Sequence, residues 1–151
     1  MFTSRAEYRL QLRASNADKR LLQYSKDLNL LDKNLLIALN KKNNKTSEIV
    51  SYLEEKNISP KEINNILSSL GERKISEPVK MSQLLKRPSV KIKNFNIPLL
   101  KNIKKDFPAY FEEILFEAET IIKYGGYINR QKEEIEKLKI YEEMLIPKNF
   151  S

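Results

Sequence analysis

Three arginines near the N-terminus have a spacing that suits phosphate contact. Arg5, Arg9 and Arg13 are four residues apart, so on an α-helix their guanidinium groups would lie on one face. Like charges held this close repel one another unless anions lie nearby, and guanidinium suits bidentate contact with phosphate better than ammonium does. Local pairing with Glu7 or Asp18 would explain the same spacing. The row therefore predicts either a phosphate-binding face or a set of internal ion pairs.

A second basic stretch lies in the middle of the chain. Residues 78–105 contain eight lysines and arginines and no carboxylate, within a chain of net charge +8. Residues 106–151, in contrast, contain 6 basic and 10 acidic side chains. Such segregation favours a face that binds polyanions, because Lys and Arg neutralise phosphates and release counterions. A solvated basic loop would have the same composition.

Several classes of chemistry are excluded by residue type. The chain has no Cys and no His, which excludes thiolate or imidazole zinc sites, Cys nucleophiles, Ser-His-Asp triads and disulfides. Its three glycines, Gly71, Gly125 and Gly126, cannot form either of the common phosphate-binding glycine loops. We therefore predict no catalytic, cofactor-binding or metal-binding residue in this chain.

Paired carboxylates are the remaining candidates for acid–base work. Adjacent glutamates on a helix point in different directions and usually face water, so we predict no catalytic role for them. Glu119 and Lys123, like Glu133 and Lys137, have the i,i+4 spacing of helix-supporting ion pairs. The adjacent pairs are Glu112-Glu113, Glu133-Glu134 and Glu142-Glu143.

Helical spacing of apolar residues dominates the first half of the chain. A helix is predicted to start near Ala17, a second is capped by Asp32, and a third starts at Ser59-Pro60 and stops at Gly71. The polar run 41–45 interrupts the second helix, either as solvated helix or as a loop.

The second half combines an irregular stretch with a long helix. A short helix is predicted at 81–86, followed by a basic loop over 88–108 with one turn of helix near 99–103. From Ala109 the apolar stripe is strongly helical until Pro147. Gly125-Gly126 within it could be a kink or a place of close backbone approach.

These patterns predict an all-α fold, an irregular helical bundle with a long C-terminal helix and a basic loop between helices. We expect three parts: residues 1–77, a connector over 78–108 and a helical arm over 109–151. No apolar run is long enough to span a membrane and no signal peptide is recognisable, so we expect a cytoplasmic protein with no membrane partner.

Three sequence elements, in order, resemble the GidA/MnmG family. Residues 1–13 (MFTSRAEYRLQLR), followed by 16–21 (NADKRL), resemble a hallmark of that family. Leu-Leu-Lys-Arg-Pro at 84–88 is similar to a second element, and 124–138 (YGGYINRQKEEIEKL), with Ile-Pro at 146–147, to a third.

The resemblance implies a flavoenzyme that modifies the wobble uridine of tRNA. Such enzymes are homodimers and work together with the GTPase MnmE. They use FAD, NADH and a methylene-tetrahydrofolate carbon donor. The family's FAD-binding glycine fingerprint has no counterpart here. The chain also stops soon after the Ile-Pro element, before the terminal helical region of such enzymes. We therefore expect both ends to be cut relative to the parent enzyme, and a fragment that binds no cofactor and is inactive alone.

The expected role is a helical region that binds tRNA and assists assembly. The alternative is a protein-interaction module for dimerisation or MnmE docking, without tRNA binding of its own. In a third version the arginines pair internally and brace the flavin domain. The residues predicted to contact tRNA phosphates are Arg5, Arg9, Arg13, Lys19, Arg20, Lys86 and Arg87.

Overall fold

The structure is a computed structural model and describes residues 8–142 of the chain. Some of the predictions above concern side chains that lie outside the described part. These belong to Arg5, Glu142, Glu143 and Pro147. The described part is dominated by α-helices, which confirms the all-α prediction. The helices are α1 (Ala17–Asp27), α2 (Lys33–Glu55), α3 (Pro60–Ser69), α4 (Met81–Leu85), α5 (Pro98–Asp106) and α6 (Phe111–Glu142).

Short elements connect these helices. Strands β1 (Asn57–Ile58) and β2 (Val79–Lys80) pair antiparallel, with Asn57 opposite Lys80 and Ile58 opposite Val79. The sequence did not indicate them, because a two-residue strand shows no periodicity. Single 3-10 turns occupy Ala14–Asn16, Ile92–Asn94 and Pro108–Tyr110. No helix within residues 8–142 combines the length and apolar character needed to cross a membrane.

The predicted helix boundaries are set by local hydrogen bonds. Asp32 caps α2, its Oδ2 accepting from the Asn34 backbone N–H at 3.0 Å. At the start of α3 the Glu62 carboxylate accepts from the Ser59 backbone N–H at 2.8 Å and from its Oγ at 2.6 Å. Gly71 follows the end of α3 with a φ of +70°, a conformation that glycine adopts without steric cost.

The polar run 41–45 is helix, so α2 continues unbroken to Glu55. Lys42 and Thr46 are buried on the side of α2 that faces the core. Of the two interpretations of this run, the structure therefore supports the helical one.

One hydrophobic core joins the helices. Each fully buried aliphatic side chain in such a core contributes roughly 1.5–3 kcal/mol relative to an exposed one. The residues that are buried most completely are Ile49, Leu53, Ile63, Leu67, Leu84, Leu85, Val90, Ile92, Ile103 and Ile114.

The stretch 88–108 contains more regular structure than predicted. The predicted single turn near 99–103 is part of α5, which runs for nine residues, and the stretch before it includes the Ile92–Asn94 turn. The physical reason is burial. Val90, Ile92, Phe95 and Ile97 enter the core, so the backbone is fixed by packing, while Lys91, Lys93 and Asn96 between them are exposed.

Contacts from α6 hold this stretch in place. Glu119 Oε1 accepts from the Ile92 backbone N–H at 2.7 Å, and Lys123 Nζ donates to the Val90 carbonyl at 2.7 Å. The predicted Glu119–Lys123 ion pair is therefore wrong. Each side chain instead binds backbone that passes beside the helix.

Candidate nucleic-acid interface

The predicted arginine row is not helical where the structure describes it. Residues 8–12 form turns, with Gln11 N–H donating to the Tyr8 carbonyl at 2.8 Å and Tyr8 at a φ of 54°. Arg9 is exposed on this turn, and Arg5 lies outside the described residues. The four-residue spacing therefore does not align Arg9 and Arg13 on one helix face.

Arg13 has an internal partner. Its Nη2 lies 2.6 Å from Glu117 Oε1 on α6, and its Nη1 donates to the Leu10 carbonyl. Ser15 Oγ donates to the other Glu117 oxygen at 3.1 Å. The Glu117 charge is thus balanced, and Arg13 fastens the N-terminal turn to α6, with a partner other than the Glu7 or Asp18 named above.

Arg87 also faces other parts of the chain. Its Nη1 donates to the Arg73 carbonyl and lies 4.0 Å from Glu72 Oε2. These contacts tie the end of α4 to the segment that follows α3. Arg87 therefore points away from its neighbour Lys86, which borders α6.

Lys19 and Arg20 lie on the exposed side of α1, beside α6. Together with Lys132 they border an open groove of about 500 Å³ between the two helices, which we name the α1–α6 groove. Arg20 Nε donates to Asn16 Oδ1 at 3.0 Å. None of these three cations takes part in a salt bridge within residues 8–142. The remaining residues that line the groove are Leu10, Gln11, Arg13, Asn16, Glu117, Ile121, Gly125, Ile128 and Asn129.

Lys86 borders a smaller groove on a different side of α6. This groove of about 270 Å³, named the Lys86 groove, is lined by Lys86, Ile122, Lys123, Gly126, Tyr127 and Arg130. Three of its six lining residues are cationic and no carboxylate is among them. Successive residues on an α-helix are about 100° apart, so neighbouring Gly125 and Gly126 open onto different grooves.

The predicted phosphate-contacting residues thus divide into separate places. Lys19 and Arg20 share the α1–α6 groove, Lys86 lies in the other groove, and Arg13 and Arg87 are engaged in internal contacts. Sequence reasoning missed Lys123, Arg130 and Lys132, because they belong to a segment whose net charge is negative.

In the sequence, the adjacent glycines Gly125 and Gly126 are the feature that could have indicated both grooves. A glycine inside a helix is less favourable than alanine by roughly 0.8–1 kcal/mol. A Cβ placed on Gly125 or Gly126 would meet no atom within 4 Å, so the described chain itself does not require either glycine. The remaining physical reason for glycine at these two positions is close approach of another molecule to the α6 backbone.

A buried lysine positions α1 beside α6. Lys42 Nζ on α2 lies 2.8 Å from Asp18 Oδ2 on α1, 2.6 Å from Glu113 Oε2 on α6 and 5.6 Å from the centre of the Tyr110 ring. Burial alone would lower the pKa of Lys42, but hydrogen bonds and Coulombic attraction from the two carboxylates outweigh burial and raise the pKa. The ammonium group therefore stays charged and holds Asp18 next to Lys19.

Comparison with known proteins identifies the family. The family described as tRNA modifying enzyme MnmG/GidA C-terminal helical domain matches residues 36–132. The chain is 35% identical to the tRNA uridine 5-carboxymethylaminomethyl modification enzyme MnmG of Christiangramia forsetii, over 99% of this chain and 24% of that protein. Identity to the enzymes of the same name is 34% in Chloroflexus aurantiacus and 36% in Clostridium botulinum strain Hall, over 99% and 100% of this chain.

The chain therefore spans about a quarter of the length of these relatives, 22% and 24% for the latter two. The matches confirm the resemblance carried by the three sequence elements. Since the family match covers well over half of the chain and the relatives cover nearly all of it, the chain belongs to the MnmG/GidA family and contains its C-terminal helical domain.

Proposed function

We propose that this chain supplies a tRNA-binding surface to an enzyme that modifies the wobble uridine of tRNA. The observation that carries the proposal is the α1–α6 groove, in which two predicted residues, Lys19 and Arg20, lie beside Lys132 with no salt-bridge partner among residues 8–142. The chain's part in modification is to hold tRNA, and the chemistry belongs to other parts of the enzyme.

The electrostatics of this groove favour a phosphate backbone. Lys19, Arg20 and Lys132 border it, and its one acidic lining residue, Glu117, is neutralised by Arg13. Asn129 adds a neutral amide group that can donate to phosphate or ribose oxygens, whereas the Asn16 amide already contacts the Gln11 carbonyl and Arg20. Each phosphate neutralised here would release condensed counterions, which makes affinity depend on salt.

The two grooves lack the feature that would bind the dinucleotide cofactors of the parent enzyme. FAD and NADH carry pyrophosphate groups, which dinucleotide-binding folds hold at a glycine-rich turn before a helix. The grooves described here have no such turn, since their glycines lie in the middle of α6. We accordingly place FAD and NADH outside these two grooves, with MnmE as the protein partner of the parent enzyme and the whole complex in the cytoplasm, where tRNA is available.

The test is a salt series of tRNA binding by the 151-residue chain. In Lys19→Glu/Arg20→Glu we expect affinity for bulk tRNA to fall by at least about tenfold near 0.1 M salt. The slope of log affinity against log salt should become shallower by roughly 0.7–0.9 for each phosphate that the variant no longer neutralises. Lys56→Glu/Lys61→Glu is the matched control, because it changes net charge equally on exposed side chains outside both grooves.

Equal loss of affinity in the two double variants would contradict the proposal, because binding would then follow net charge rather than this groove. Unchanged affinity in Lys19→Glu/Arg20→Glu would contradict it as well. Circular dichroism of each variant checks that the helices are intact.

A protein-interaction module is the second candidate, and exposed apolar residues favour it. Tyr24 and Leu30, at the end of α1 and just beyond it, are 67% and 70% exposed, and Leu21 and Leu28 beside them are also exposed. A group of apolar side chains of this kind is typical of a surface that another protein covers. Self-association measured by sedimentation that persists at high salt, together with absent tRNA binding, would favour this candidate.

A further inference from the structure

We infer that the Lys86 groove is a second RNA-binding site, one that takes a single unstacked nucleotide. Its phosphate lies between Lys86 and Arg130, over Gly126, and its base stacks on Tyr127. The inference rests on the proposed function, since it concerns the same tRNA, but it depends on different residues on another side of α6.

The charge of this groove is not balanced by the described chain. Lys86, Lys123 and Arg130 line it without a carboxylate, and none of them forms a salt bridge within residues 8–142. The carboxylate that helix spacing would give to Lys123 is Glu119, which instead accepts from the Ile92 backbone N–H. Lys123 itself donates to the Val90 and Pro88 carbonyls, so its charge is fixed in place but not neutralised. Three cations held together in this way favour an anion between them.

The space over Gly126 is kept open at a cost to the helix. Gly126 is exposed and mid-helix, and a side chain there would meet no atom of the described chain within 4 Å. A ligand approaching the α6 backbone at this point would be displaced by any side chain larger than hydrogen. The small size of the groove, about 270 Å³, fits one nucleotide rather than a duplex.

Tyr127 adds a stacking surface next to the cations. Its side chain is 61% exposed, although a tyrosine of a folded domain commonly packs most of its ring. Cationic grooves flanked by exposed aromatic rings are how proteins bind single-stranded RNA, because every base has a face that stacks. Paired bases are already stacked within a helix, so this site should select unpaired nucleotides.

The experiment measures binding of fluorescent hexauridylate by the 151-residue chain in the Lys19→Glu/Arg20→Glu background, which removes the other groove. Gly126→Leu should weaken hexauridylate binding at least about tenfold while leaving the melting temperature unchanged or higher, since leucine is the better helix former. Tyr127→Ala should weaken it about fivefold or more, and Tyr127→Phe should bind within about twofold of the background. Ser51→Leu, at an exposed position of α2 outside both grooves, is the matched control and should have no effect.

Two outcomes would overturn the inference: unchanged affinity in Gly126→Leu, or equal affinity for a double-stranded RNA of the same length. The proposed function has a separate readout. If Lys19→Glu/Arg20→Glu binds tRNA like the wild type while Gly126→Leu still loses hexauridylate, the proposed function fails and this inference stands.

Discussion

Lys42 joins three helices through one ammonium group. It reaches from α2 to Asp18 on α1 and to Glu113 on α6, and the Tyr110 ring lies within cation–π range. Asp18 is next to Lys19, so this buried contact also fixes one wall of the α1–α6 groove. In the sequence, Lys42 is one of several lysines in a polar run, and nothing in the spacing distinguishes it from its exposed neighbour Lys41.

Replacing Lys42 should therefore destabilise the chain, whereas replacing Lys41 should not. Lys42→Met keeps much of the apolar stem but leaves two carboxylates without their shared cation. Both carboxylates reach solvent in part, so we expect a loss of about 1–2 kcal/mol in the free energy of unfolding. Lys41→Met should stay within about 0.5 kcal/mol of the wild type. Urea unfolding followed by circular dichroism measures both, and equal effects would contradict this role for Lys42.

The contact of Lys42 with Asp18 and Glu113 makes the difference in unfolding free energy between the wild type and Lys42→Met depend on pH. Because the folded-state pKa of Lys42 is raised, its contribution is complete below the unfolded-state pKa and is lost as pH rises through the folded-state pKa. The gap in unfolding free energy between wild type and Lys42→Met should thus be constant near neutral pH and shrink above about pH 10.4. A gap that stays constant to pH 12 would contradict the assignment.

For individual cationic side chains, exposure could be predicted from the sequence better than the group that each one contacts. Lys19, Arg20 and Lys86 are exposed at grooves, as a surface role requires. Arg13 and Arg87 look equivalent to them in sequence but have contacts inside the fold. The Arg13–Glu117 pair joins residues 104 positions apart, and no spacing rule reaches that far.

Among the elements, α3 shows how far local signals go. Its start depends on Ser59, Pro60 and Glu62, which lie within four residues of one another, and its end depends on Gly71. Hydrogen bonds from the Ser59 hydroxyl and backbone N–H lower the pKa of the Glu62 carboxyl. All of these contacts are encoded by neighbours, which is why this helix could be predicted from the sequence.

Removing the Ser59 hydroxyl should weaken this start. Ser59→Ala removes the hydroxyl contact with Glu62, and we expect the free energy of unfolding to fall by about 1 kcal/mol, as is typical when an N-cap side chain is removed. Ser51→Ala, on the exposed side of α2, is the control and should change stability by no more than about 0.5 kcal/mol. The comparison is made by thermal unfolding at pH 7, and a control that loses as much as Ser59→Ala would contradict the capping role.

The stretch 88–108 could not be predicted in the same way. Its prolines and lysines are typical of a solvated loop. Its conformation depends on the core and on Glu119 and Lys123, which are distant in sequence. Local propensity describes elements that stabilise themselves, whereas this stretch is stabilised by its surroundings.

For the molecule as a whole, the single core predicts one cooperative unfolding transition. Ile92→Ala removes a fully buried side chain of this core, so we expect a loss of about 2–4 kcal/mol in the free energy of unfolding. Ile37→Ala, at an exposed position of α2, should cost less than about 0.5 kcal/mol. Urea unfolding followed by circular dichroism and by tyrosine fluorescence should give coincident transitions in every variant. Separate transitions would show that the helices around this core do not unfold as one unit.

The length of α6 has a mechanical consequence. The last buried apolar residue on this helix is Ile122, and the helix continues to Glu142. At 1.5 Å per residue, about 30 Å of helix extend past the core. A tilt of about 10° at the root of this segment, near Ile122, would therefore displace the far end of α6 by about 5 Å. Since both grooves lie near that root, RNA bound as we propose would be placed where a small reorientation of α6 is magnified at the far end of the helix.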